Sequence, residues 1–189
     1  MELLFSKTID PSEIIEERLA SSMSLQKYLY LIENCYKTDI SSDRQYQKAF
    51  NSFYIVRRNE NWRNTYYSYF EQVKNTGPGF EQILMHLYHY CGSVEASFSS
   101  KMLSTIDPTM PVWDQYIIKN LNISLPSLND SHRLNKIINL YGSLVEWYAQ
   151  FLGTEEAKTW IGTFDASLPH YSHISSVKKI DFFLWSIRE

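Results

Sequence analysis

The stretch FEQILMHLYHYCGSVEASFSSKMLSTIDPTMPVWDQYIIKNL, running from Phe80 to Leu121, decides how the chain folds. Its first twelve residues place Phe80, Ile83, Leu84, Leu87, Tyr88 and Cys91 at helical spacing, so one face is apolar. Gly92 then stands where a helix C-cap is expected, and Ser93 is placed to cap a second helix at once. That second helix carries Val94, Phe98, Met102 and Ile106 on one stripe. Asp107-Pro108 and Met110-Pro111 stop it, because a residue before proline is steered out of the helical region. The pattern predicts a tight helix–turn–helix hairpin. A proline-rigid apolar approach follows, Met110-Pro111-Val112-Trp113, and delivers Asp114 to the start of a short helix through Ile117, Ile118 and Leu121.

The rest of the chain has the same period. Towards the N-terminus, Asp10-Pro11-Ser12-Glu13 reads as a helix start, with Asp10 as N-cap, Pro11 at the first helical position and Glu13 closing a capping box, and the helix runs to about Ala20. Ser22 or Ser24 caps a second helix with Leu25, Tyr28, Leu29, Ile32 and Tyr36 in register. Asp43 starts a third, with Tyr46, Phe50, Phe53 and Tyr54 on one face. A fourth covers Asn59 to Lys74, carries Trp62, Tyr66, Tyr69, Phe70 and Val73, and ends at Gly77-Pro78-Gly79. Beyond the stretch, a polar loop at Pro126 to Asp130 leads into a long helix from Arg133 to Leu152, ended by Gly153. A shorter helix follows from Thr154 to Ile161. The last runs from Ser176 to Arg188 and buries Val177, Ile180, Phe183, Leu184 and Ile187.

Composition agrees with an all-α protein. With 189 residues, 44% hydrophobic and 21% charged, the chain carries enough apolar surface for one core, and a single domain over 1–189 of about nine helices is expected. Six Gly and six Pro are too few for a protein built of many short strands, which needs a turn residue every ten or so positions. A net charge of −3 and a pI near 6.0 supply no global attraction for nucleic acid or an anionic membrane, so binding of either kind must rest on a local patch. No apolar run approaches the roughly twenty residues that span a bilayer. Two cysteines without metal-type spacing, and an N-terminus without a secretory pattern, lead to the expectation of a cytoplasmic protein. The patterns call for no cofactor.

Three constellations carry chemistry. Between Phe53 and Phe70, Arg57, Arg58 and Arg63 interleave with Phe53, Tyr54, Trp62, Tyr66, Tyr67 and Tyr69. Guanidinium groups hold phosphates and aromatic faces stack on unpaired bases, so this composition suits single-strand or flipped-base binding. The competing reading makes the aromatic residues core and the arginines its solvated edge. His86-x-x-His89, with Cys91 beyond it, shares a helix face but lacks a partner set, and no metal site is expected there or at His170 and His173. Asp114 beside Trp113 is a partly desolvated carboxylate suited to acid–base work or to stabilising a developing cation. Equally, it suits the first turn of the helix it opens, where carboxylates favour the exposed N–H groups. Lys101, beside Ser97, either reacts or reaches water along the edge of its stripe, and Glu95 sits near its helix's N-terminus.

Two resemblances add to these readings. From about Tyr46 to Arg188 the chain resembles a family of uncharacterised bacterial proteins, through Phe53-Tyr54-Ile55-Val56-Arg57-Arg58-Asn59, Glu95-Ala96-Ser97-Phe98-Ser99-Ser100-Lys101-Met102-Leu103, Ile106-Asp107-Pro108, Met110-Pro111-Val112-Trp113-Asp114 and Lys178-Lys179-Ile180-Asp181-Phe182-Phe183-Leu184-Trp185. Over Leu87 to Leu121 the layout is also similar to the helix-hairpin-helix DNA glycosylases. In these a glycine-rich hairpin turn, a helix and an apolar approach lead to a catalytic Asp that opens another helix. That resemblance implies DNA as partner, Gly92 at the phosphate-approaching turn and Asp114 as the catalytic carboxylate, stabilising charge on the sugar of a flipped nucleotide or orienting water. The turn Cys91-Gly92-Ser93-Val94 lacks the second glycine, and Glu95 stands where lyase-type members carry their Schiff-base lysine, which leaves Lys101 as the amine on offer. The expected function is therefore nucleic-acid binding on a glycosylase-like fold with a degenerate site. The alternative is a non-enzymatic helical interaction protein.

Overall fold

The computed structural model describes residues 5–20 and 23–188, of which helices are the regular structure and none is a strand. The α-helices are α1 Pro11–Ile14, α2 Ser24–Asn34, α3 Arg44–Tyr54, α4 Glu60–Val73, α5 Phe80–Cys91, α6 Ala96–Ile106, α7 Gln115–Asn120, α8 Arg133–Phe151, α9 Glu155–Ser167 and α10 Ser176–Ser186. A π-helical turn, Ile15–Leu19, continues α1, and a 3-10 turn, Pro169–Tyr171, follows α9. Two compact units emerge, one of Met23–Asp107 and one of Met1–Ser22 with Pro108–Glu189.

The first of these holds α2 to α6. Its helices begin where the capping residues direct. The Asp43 carboxylate accepts from the N–H groups of Gln45 and Tyr46, and the Asn59 side chain from that of Trp62. Met23 rather than a serine occupies the cap position of α2, with Ser24 as its first helical residue. Ser22 lies outside the described residues. On α2 the buried positions are Leu25, Tyr28 and Leu31, and Tyr36 is exposed, so its core face is turned slightly from the expected one.

Phe50 of α3 centres an aromatic core, with ring centroids 4.7 Å from Tyr54, 5.7 Å from Phe70, 5.8 Å from Tyr67 and 5.9 Å from Tyr66. The tyrosine hydroxyls explain why so many rings here are Tyr and not Phe. Those of Tyr67 and Tyr66 donate to Asn51 Oδ1 and to the Phe98 carbonyl, so each of these rings fills the core while its hydroxyl ties two elements, and that of Tyr36 donates to the Ile106 carbonyl. Tyr36 makes its bond from a largely exposed position.

α3 ends on Ile55 in the left-handed region, φ 54°, an unusual place for a β-branched residue. Helices α5 and α6 pack as a hairpin. Gly92, φ 67°, closes α5 by donating its N–H to the Tyr88 carbonyl. α6 starts later than expected. Glu95, not Ser93, is its N-cap residue, and its side chain is turned away to an arginine.

In the other unit α10 packs against α7, α9 and α1. Trp160 meets Phe5, Phe151 and Phe183 at centroid distances of 5.4, 5.2 and 5.4 Å. α9 continues past Ile161 to Ser167, because Phe164, one turn beyond Trp160, is also buried and anchors the extra turn across Gly162. Every residue of α10 from Val177 to Leu184 is buried, including Lys178, Lys179 and Asp181, whereas Ile187 is only half-buried. The expected amphipathic stripe is replaced by a helix enclosed on all sides.

Candidate functional site

The chain leaves α3 at Ile55, passes Val56 and Arg57 and reaches Arg58 just before the Asn59 cap of α4. This places the Arg58 guanidinium beside Trp62, on the first turn of α4, with its central carbon 5.4 Å from the indole centroid. Phe98 of α6 is 5.3 Å from the same carbon. Nη2 of Arg58 donates to both carboxylate oxygens of Glu95, at 2.6 and 2.7 Å, and the Ser93 hydroxyl donates to Glu95 Oε1 at 2.8 Å. Glu95 is buried, while 40% of the Arg58 side chain is exposed.

Lys101 lies deeper on α6. Its Nζ donates to the Tyr54 carbonyl at 3.2 Å and stands 5.3 Å from the Phe98 ring centroid and 5.8 Å from that of Tyr54. The side chain is buried and does not reach water along the edge of its helix. Burial pushes the Cys91 thiol up; the Trp62 indole and Arg58 act against that, and the Glu95 carboxylate adds to it. The Trp62 Nε1–H is buried and close enough to influence that thiol, but it meets no acceptor in good hydrogen-bond geometry.

Arg58, Trp62, Lys101 and the turn that contains Gly92 thus converge within one unit, although they are spread over more than forty positions in the chain. Arg57 is exposed. Arg63 spends Nη1 on the Arg58 carbonyl at 3.0 Å, so it braces the loop before α4. Gly92 itself is exposed and acts as the α5 C-cap. Two members escaped the sequence reading. In the sequence Phe98 reads as part of a core stripe, and Glu95 as a residue near its helix's N-terminus. The available signal was a carboxylate two residues after Ser93 in the turn and an arginine whose neighbours were aromatic.

Asp114 belongs to the other unit, and there its Oδ1 accepts from the Tyr116 N–H at 2.9 Å, capping α7. The segment leading to it is held by the helices around it. Ser175 Oγ donates to the Pro108 carbonyl at 2.5 Å, Tyr141 Oη to the Pro111 carbonyl at 2.8 Å, and the Val112 N–H to the Asp181 carboxylate. Asp181 also accepts from Tyr148 Oη and from Lys178 Nζ, both at 2.6 Å. Burial pushes the Asp181 carboxyl up, against the pull of Lys178, the Tyr148 hydroxyl and the Val112 N–H. Burial likewise raises Tyr148, and the Asp181 and Asp114 carboxylates add to the effect. Each of these groups meets a partner, and sequence alone does not show the network because its members are spread over more than sixty positions.

His86 stacks on Tyr69, with centroids 3.3 Å apart, and burial lowers its pKa, helped by His89. Among the described residues no group of three or more His, Cys, Asp or Glu side chains gathers to hold a metal ion, and no helix is long and apolar enough to cross a membrane. Cys35 and Cys91 are free thiols. Compared with protein-family models, curated proteins and solved structures, the chain matches none.

Proposed function

We propose that the protein binds nucleic acid through the surface formed by the start of α4 and the α5–α6 turn. In this reading it is a bacterial cytoplasmic protein with a glycosylase-like layout and a degenerate site. The observation that carries it is the convergence of a partly exposed guanidinium, beside the rings of Trp62 and Phe98, with the hairpin turn and the buried amine of Lys101. A guanidinium edge suits phosphate oxygens, and neighbouring aromatic residues suit unpaired bases. Tyr88 and Tyr90 are also exposed, near the end of α5 ahead of the turn. Within this unit Lys101 is the amine that chemistry would use; in the other unit, taken by itself, Asp114 is the carboxylate that the glycosylase resemblance implies.

The test is fluorescence anisotropy with a labelled single strand and with an abasic-site duplex, from low to physiological salt. Affinity that falls linearly in log–log form with salt is expected, because phosphate contacts release counterions. No binding at low ionic strength overturns the proposal.

A second reading, a helical interaction protein without catalysis, is favoured by one specific pair of facts. The Asp114 carboxylate caps its own helix, and the Arg58 charge is already met by Glu95.

A further inference from the structure

A guanidinium offers two edges for capturing an oxyanion at two points, end-on with Nη1 and Nη2, or side-on with Nε and Nη2. Nη2 belongs to both. In this structure the Glu95 carboxylate takes that one group with both of its oxygens, at 2.6 and 2.7 Å, while Nη1 and Nε of Arg58 engage no acceptor among the described residues. Trp62 and Phe98 lie beside the guanidinium, with ring centroids 5.4 and 5.3 Å from its central carbon, and its N–H groups point outward along its edges. The Ser93 hydroxyl holds Glu95 in this position.

We infer that Arg58 is the centre of an oxyanion site for phosphate groups, kept closed by Glu95 as an intramolecular competitor. A phosphate that binds Arg58 at two points competes with the carboxylate for the N–H groups of Nη2, and until the carboxylate gives way the two charges cancel. The site's chemistry is that of a phosphoryl oxyanion, whether the ligand is a phosphodiester in a strand or a free polyphosphate. This inference rests on the proposed binding surface and adds its regulation: occupancy is set by how readily Glu95 and Ser93 give way. The arrangement is asymmetric in the required sense, since the acid is buried and the base is 40% exposed to an arriving ligand.

The experiment uses the full chain, with inorganic pyrophosphate and a labelled single strand as separate probes, titrated against wild type, Glu95→Gln and the double variant Glu95→Gln with Arg58→Gln. Glu95→Gln is expected to bind pyrophosphate about tenfold more tightly than wild type, since it removes a competing charge-assisted contact. The double variant is expected to lose that gain. Equal affinity of Glu95→Gln and wild type, or a gain that survives loss of Arg58, overturns the inference. Should Glu95→Gln fail to fold, the wild-type chain labelled at arginine nitrogen decides. Pyrophosphate at high concentration is then expected to shift the Arg58 Nε–H resonance, and shifts confined to other arginines overturn the inference.

The single strand separates the two claims. A pyrophosphate gain without strand binding by either protein supports the closed oxyanion site and overturns the nucleic-acid reading. Strand binding by wild type that is unchanged in Glu95→Gln supports that reading and overturns the competitor.

Discussion

Lys178 and Asp181, three residues apart on α10, meet at 2.6 Å with only 2% of either side chain exposed. Burial of two charges is costly, and the pair is stable because each member answers the other and Tyr148 supplies a further hydrogen bond. Replacing Asp181 with Asn takes the opposing charge away from the buried Lys178 ammonium. A loss of about 3 to 5 kcal/mol in unfolding free energy is expected by urea titration. The double change of Lys178→Met with Asp181→Asn removes both charges and is expected to recover most of it. A double variant as unstable as Asp181→Asn would show that the charge itself is required.

Asp114 separates a cap from a reacting group. Asp114→Ala should cost about 0.5 to 2 kcal/mol of stability through the lost bond to the Tyr116 N–H, whereas Asn keeps an acceptor at that place and should cost little. If the carboxylate also acts on a ligand, Asp114→Asn changes cleavage of damaged or abasic duplex without changing the unfolding midpoint. Urea curves and gel-resolved cleavage on the same samples check both outcomes.

Gly92 closes α5 with φ 67°, and a Cβ built there meets nothing within 4 Å. The cost of Gly92→Ala is therefore one of backbone conformation, about 1 to 2 kcal/mol, and Gly92→Asn should cost less because Asn tolerates this region better. Thermal melts of the two variants against wild type measure the difference.

Cys35 supplies a pH test. Burial pushes its thiol up from 9.0 to about 11, with the Tyr46 hydrogen bond and Lys74 pulling the other way and Glu71 adding slightly. A folded-state pKa above the unfolded value means that the contribution is complete below pH 9 and is lost as pH rises towards 11. The two-unit gap corresponds to roughly 2 to 3 kcal/mol. Buried tyrosines such as Tyr67 act in the same direction, so Cys35→Ala isolates the thiol's share. The urea midpoint measured from pH 8 to pH 11 should fall less steeply in that variant than in wild type.

Local rules made much of this fold legible. Asp43, Asn59, Gly92 and Asp114 each mark a helix end through a bond to the backbone that depends on a few adjacent residues, and each lies where its type directs. Non-local pairing was opaque. Nothing within a helical window links Arg58 to Glu95, and the polar residues of α10 read as a solvent face until α9 and α7 are seen to pack on the helix. Ser93 has the sequence mark of a cap, but its hydroxyl is drawn to Glu95, so α6 begins at Ala96 instead. The candidate site was thus read as a set of residue types, and its geometry came only from packing.

The three anchors on Pro108, Pro111 and Val112 also bear on the timescale of motion. A stretch without regular structure ordinarily exchanges its amide hydrogens through small local openings. Here the Val112 amide is tied to a buried carboxylate in a paired network, so its release requires α10 to separate from its neighbours. Its exchange is expected to track global unfolding, so that this irregular connection opens as slowly as a core helix.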